Sequence, residues 1–165
     1  MPFSVGDTVV YPHHGAAVIE RTERRELKGE VCDYLVLRLT YGDLTLMVPA
    51  DSCEEVGIRK VVSKRESERV LDVLREPEPE PQAAGNWSRR FKANYEKLRS
   101  GDIYQVAEVV RNLSCQDDDK GLSAGEKRML TKAKQILLSE ISVAIKKDEA
   151  KTEELIDRIL RESQG

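Results

Sequence analysis

Apolar positions in roughly the first sixty residues come in short runs, each stopped by glycine or proline. Thr8-Val9-Val10-Tyr11 is β-rich and is broken by Pro12-His13-His14-Gly15. Ala16-Ala17-Val18-Ile19 resumes the pattern, a polar stretch of mixed sign follows from Glu20 to Glu26, and Lys28-Gly29-Glu30 signals a turn. From Val31 to Leu39 the side chains of Leu35, Leu37 and Leu39 alternate onto one face. Tyr41-Gly42-Asp43 turns the chain again, and Leu44 to Val48 alternates once more before Pro49. Short strands punctuated at this spacing predict a small antiparallel barrel. The strand over Thr45 to Val48 is a candidate edge, able to accept a partner's strand through main-chain hydrogen bonds.

Beyond Ser63 the period changes to that of helices. Ser63 and Glu66 have capping-box spacing and open a short amphipathic run to Arg75. Glu76-Pro77-Glu78-Pro79-Glu80-Pro81 forbids a helix and favours an extended, solvated spacer. Asn86 can cap a run from Trp87 to Arg99 with the apolar stripe Trp87, Phe91, Tyr95 and Leu98. Asp102 with Gln105 caps a second run through Ile103, Val106, Ala107, Val110 and Leu113, and Gln116 to Lys120 reads as a loop. Ser123 with Glu126 opens a long helix with the stripe Leu130, Ala133, Leu137, Ile141 and Ala144, and a last helix runs from about Glu149 to Leu160. There is no internal repeat. The expected architecture is α+β in two modules, a β-barrel over residues 1–60 and an all-α bundle over residues 61–165, with the boundary between Glu54 and Ser63.

The chain has 165 residues and a net charge of −3, from 27 basic and 30 acidic side chains. A free-standing DNA binder carries a basic excess, so any nucleic-acid contact here has to be local or assisted by a partner. No apolar run approaches the roughly 18 residues of a membrane span, and the first residues carry no signal-peptide pattern. Cys32, Cys53 and Cys115 are widely spaced and odd in number, which argues against a disulfide framework or a zinc site and for reduced thiols in the cytoplasm.

The residues offer little catalysis. His13 and His14 are adjacent, so they point apart, and they read as turn residues packing on the barrel rim. There is no G-x-S-x-G and no phosphate-cradling glycine loop. We therefore expect no catalytic site, no metal and no cofactor.

The segment Asn86 to Arg99 stands apart. It carries five basic residues and one acidic, a local charge of +4, and holds the only Trp in its first turn. A helix start offers unpaired N–H groups to an anion, Arg89, Arg90 and Lys92 add charge-assisted contacts to phosphate, and a large ring at that edge can wedge against a base step. A second cluster, Lys127, Arg128, Lys132 and Lys134, lies at the start of the long helix. The same residues also fit a plainer role, with Trp87 as the packed end of its stripe and the cations as a solvated face.

Three stretches together carry a resemblance. Val5-Gly6-Asp7-Thr8-Val9-Val10-Tyr11-Pro12-His13-His14-Gly15-Ala16, Asn86-Trp87-Ser88-Arg89-Arg90, and Gly121-Leu122-Ser123-Ala124-Gly125-Glu126-Lys127-Arg128-Met129-Leu130 resemble hallmark segments of the CarD (CdnL) family of bacterial transcription regulators. Val56-Gly57-Ile58-Arg59 fits as well, and the likeness is greatest to mycobacterial-type members. The resemblance implies a Tudor-like barrel that docks on the β-subunit lobe of RNA polymerase. Thr45, Leu46, Met47, Val48 and Pro49 would form the docking strand, with Arg25 contributing from a neighbouring segment. Some members carry Arg where this chain has Met47, a departure that touches one charged contact and not the strand pairing. The helical module would contact promoter DNA at the upstream edge of the melted bubble, with Trp87 as a minor-groove wedge. Arg89, Lys92 and Lys127 would be phosphate contacts, with Arg90 and Arg128 beside them. The implied protein stabilises open complexes, with ribosomal RNA promoters gaining most; nothing in the residues suggests more than a monomer, and the cysteine usage fits the cytoplasm. From another class, the alternative is a peptide-binding Tudor-like module fused to a helical scaffold with no role for DNA.

Overall fold

The computed structural model describes residues 3–40, 44–77, 87–119 and 121–164, and of Leu27, Trp87, Asp118, Asp119 and Gln164 the backbone alone. The expected turn at Tyr41-Gly42-Asp43, the Asn86 cap and most of the acidic proline segment lie outside these residues.

Five antiparallel strands form one sheet in the order β4-β3-β2-β1-β5. They are β1 (Thr8–Tyr11), β2 (Gly15–Leu27), β3 (Glu30–Leu39), β4 (Thr45–Pro49) and β5 (Arg59–Lys60). Lys28 and Gly29 both have positive φ, 53° and 81°, as a two-residue hairpin turn matched to strand twist requires. One face of the sheet surrounds a core of Val9, Ala17, Ile19, Leu35, Leu37, Leu39 and Val48. Cys53 and Ile58, from α1 (Cys53–Val56) and the chain just after it, join that core. The edge strands β4 and β5 do not pair with each other. Helical turns at Ala50–Ser52 and α1 link them.

The sequence pattern stops the second strand near Ile19, but β2 continues to Leu27 through the polar stretch. Glu20 is the extra residue of a bulge between Ile19 and Arg21. Past it the ladder to β3 runs out to Leu27↔Glu30, with a cross-strand ion pair between Arg24 and Asp33 at 3.0 Å. The arm has polar residues on both faces, so backbone pairing rather than apolar alternation makes it a strand.

The helices are α2 (Lys64–Arg75), α3 (Trp87–Arg99), α4 (Ile103–Asp119), α5 (Ala124–Ile145) and α6 (Glu149–Gln164). Their caps are local. Ser63 Oγ accepts from the Glu66 N–H, Asp102 accepts from Tyr104 N and Gln105 Nε2, and Ser123 and Glu126 form a full capping box. Val70, Leu74, Val106, Val110, Leu113, Leu137 and Ile141 meet in the bundle core. The expected loop at Gln116 is instead the last turn of α4, which extends to Asp119. There Gln116 Nε2 donates to buried Glu126 at 3.0 Å, a tertiary contact that the local sequence does not disclose.

The two modules are locked together. Gly15 (φ 89°) lies so close to α5 that a Cβ there would stand 2.6 Å from Ser139 Oγ, and the Ala16 N–H donates to that same oxygen at 3.0 Å. Arg59 and Glu140 are joined by two hydrogen bonds of 2.7 Å. Arg59 Nε also donates to the Gly101 carbonyl between α3 and α4, and Glu140 accepts from the Val62 N–H.

Candidate nucleic-acid interface and docking edge

The starts of α3 and α5 lie side by side. The Phe91 ring packs on Gly125, where a Cβ would sit 3.4 Å from its edge. Glu126, only 2% exposed, holds the corner. One of its carboxylate oxygens accepts from Ser123 N and Oγ; the other takes Gln116 Nε2 and stands 3.6 Å from Arg90 Nη2. A buried carboxylate needs such partners.

Arg90 is less open than the neighbouring cations. Its side chain is 19% exposed and turned toward Glu126, and its Nε is buried without a hydrogen-bond partner. Arg89, Lys92, Lys127 and Arg128 are exposed and form no ion pair among the described residues. Lys134 is satisfied, 2.8 Å from Asp157. Trp87 opens α3, and its side chain lies outside the described residues.

Tyr95 departs from its expected place in the apolar stripe. It is 40% exposed, and Asn94, 4% exposed, takes the inward position between Phe91 and Leu98. The Tyr95 ring stands 6.1 Å from that of His13, and the Arg99 guanidinium lies 5.5 Å from its centroid. His13 in turn meets His14, which meets Tyr11. The histidines thus sit at the rim of the sheet, packed against the helical module. Partial burial lowers the pKa of both, and the nearby Lys132 ammonium lowers it further. His13 adopts φ 71°, and its Nδ1 has no hydrogen-bond partner.

On the other module, β4 is an edge strand. The Leu39 N–H donates to the Leu44 carbonyl. Antiparallel alternation from that pair turns the N–H and C=O of Leu46 and Val48 toward β3 and those of Thr45 and Met47 outward. Pro49, paired with Tyr34, falls in the outward phase, where its missing N–H costs no ladder bond. Thr45 and Met47 side chains are exposed. Arg25 pairs with Cys32, on the β2–β3 arm beyond the Pro49 end of β4, and is held by Glu23 at 3.1 Å.

No group of metal-ligating side chains occurs among the described residues, and no helix there is long and apolar enough to cross a membrane. Sequence reasoning did not find the roles of Glu126, Tyr95, Arg59 and Glu140. Only Glu126 left a signal, and its capping-box spacing disclosed just the local half of its contacts.

A Tudor-like β module followed by a helical module defines the class of protein. Residues 3–62 match the family model described as CarD-like/TRCF RID domain, and residues 69–157 match that of the CarD C-terminal domain. The chain is also similar to the putative transcription factor YdeB of Bacillus subtilis (strain 168), with 35% identity over 141 residues, 86% of this chain and 91% of that protein. This chain belongs to the CarD family.

Proposed function

We propose that this protein is a transcription regulator that docks on the β-subunit lobe of RNA polymerase through the open edge of β4. It holds the start of α3 against promoter DNA at the upstream edge of the bubble, where Trp87 wedges and stabilises the open complex. The family match and the transcription-factor relative support the general role. The observation that carries the DNA contact is the adjoining pair of helix starts, which set Arg89, Lys92, Lys127 and Arg128 on the surface without ion-pair partners among the described residues.

The chain is net acidic, so its own affinity for DNA is weak and falls with salt. Docking on polymerase raises the effective concentration of the cationic corner beside the promoter. Sequence preference need not come from this protein, because the minor groove carries a degenerate code. A ring that stacks only at the melted junction favours the open state by about 1–3 kcal/mol, or roughly ten- to a hundredfold in the open/closed ratio. Promoters with short-lived bubbles, such as those for ribosomal RNA, gain most.

The test is Trp87→Ala. It should retain the fold and polymerase capture while shortening open-complex lifetime about tenfold, near 1.4 kcal/mol. An unchanged lifetime contradicts the wedge.

A further inference from the structure

We propose that the β1–β2 turn is itself part of the DNA face: His13 and His14 join Lys132 of α5 and Tyr95 and Arg99 of α3 in a track for the phosphate backbone, continuing the cationic corner onto the β module. This rests on the DNA contact proposed above and adds duplex phosphates to it.

Three elements converge here. The turn is seated on α5 at Gly15, against Ile136 and Ser139. It is seated on α3 by the ring contact of His13 with Tyr95. Lys132 lies one turn before Ile136 on α5, and the Arg99 guanidinium stands 5.5 Å from the centroid of the Tyr95 ring that meets His13; the charges of both lower the His13 pKa, and Lys132 lowers that of His14. Among the described residues the charges that lower these pKa values are Lys132, Arg99 and the neighbouring imidazole. Glu140, which lines the same small cavity as His13, is already taken by Arg59 and Val62. Lys132 and Arg99 form no ion pair among the described residues. Gathering like charges without counterions costs stability, and an anion bound there would repay it.

The shape favours a polyanion over a small one. Lys92, Tyr95 and Arg99 are spaced i, i+3 and i+7 on α3, and Arg128 and Lys132 are spaced i and i+4 on α5, so each set lies on one helix face. Lys127, Arg128, Thr131, Lys132 and Gln135 line a depression of about 370 Å³. The track from the start of α3 to Arg99 is roughly 18 Å long, the axial rise of about five phosphates on one strand. Cations strung along such a length suit a backbone, whereas a single phosphate is held by donors converging in a pocket.

The experiment measures fork-junction promoter binding by the full chain on RNA polymerase, with a long and a truncated upstream duplex arm. The variants are Lys132→Ala with Arg99→Ala, His14→Asn, and Trp87→Ala. The cation pair should lower the salt slope on the long arm by about 1.8, two phosphate contacts, with no effect on the truncated arm and an unchanged or raised melting temperature. His14→Asn should weaken binding on the long arm more at pH 6 than at pH 8, since phosphate favours the protonated imidazole. Trp87→Ala should act on both arms. If Trp87→Ala acts and the cation pair leaves the slope unchanged, the track is refuted and the wedge stands. If neither acts, the DNA contact itself fails. If the cation pair weakens polymerase capture without DNA, the cluster meets an acidic protein surface, and the track is again overturned.

Discussion

Arg59 and Glu140 face each other across the junction of the two modules, joined by paired hydrogen bonds of 2.7 Å. Glu140 is 1% exposed at its side chain and Arg59 31%. The pair ties β5 to α5 and, with the Ala16 contact to Ser139, holds the two modules against each other.

The asymmetry in burial makes the two single substitutions unequal. Arg59→Met strands a buried carboxylate that keeps only the Val62 N–H, and should cost about 3–5 kcal/mol. Glu140→Gln leaves a guanidinium that water can reach, and should cost about 1–3 kcal/mol. Urea denaturation of both variants reads the difference. Equal losses would mean that Glu140 is not carried as a charge compensated by Arg59.

In β4 the groups proposed to dock alternate with those that pair with β3. Met47→Pro removes an outward N–H and should abolish polymerase capture with little change in melting temperature. Leu46→Pro removes an N–H directed at β3 and should lower stability by about 3 kcal/mol or more as well. Capture assays beside thermal melts decide it. Met47→Pro that still captures polymerase would exclude docking by strand addition.

The histidine turn makes stability depend on pH. Both imidazoles have pKa values lowered from the ordinary 6.5 by burial and then by Lys132. The unfolded chain therefore takes up protons that the fold resists. The contribution is complete above pH 6.5 and is lost as the pH falls through the lowered folded values. Melting temperature should drop between pH 7.5 and 5.5, above the carboxylate range. In His13→Asn the drop should be shallower, Asn being at ease at φ 71°. An identical slope in the variant would place the pH dependence elsewhere.

What could be read from the chain was local. Thr8–Tyr11, the Leu35-Leu37-Leu39 face and the caps at Ser63, Asp102 and Ser123 follow from neighbours a few residues apart. The long polar arm of β2 could not be read, because its order comes from the ladder to β3 and not from an apolar face. Nor could the inward turn of Arg90 or the outward turn of Tyr95. A stripe on a helical wheel marks which positions share a face, not which of them a neighbouring helix will cover.

The sequence by itself determined two modules of different period, the helix starts, and a local basic excess in an acidic chain. Tertiary structure alone decided that the two basic helix starts adjoin, that Glu126 claims Arg90, and that Arg59 meets Glu140, 81 residues away. Periodicity and capping are written in backbone geometry over a few residues. The pairing of distant charges depends on which surfaces exclude water together, and that exists only once the chain has folded.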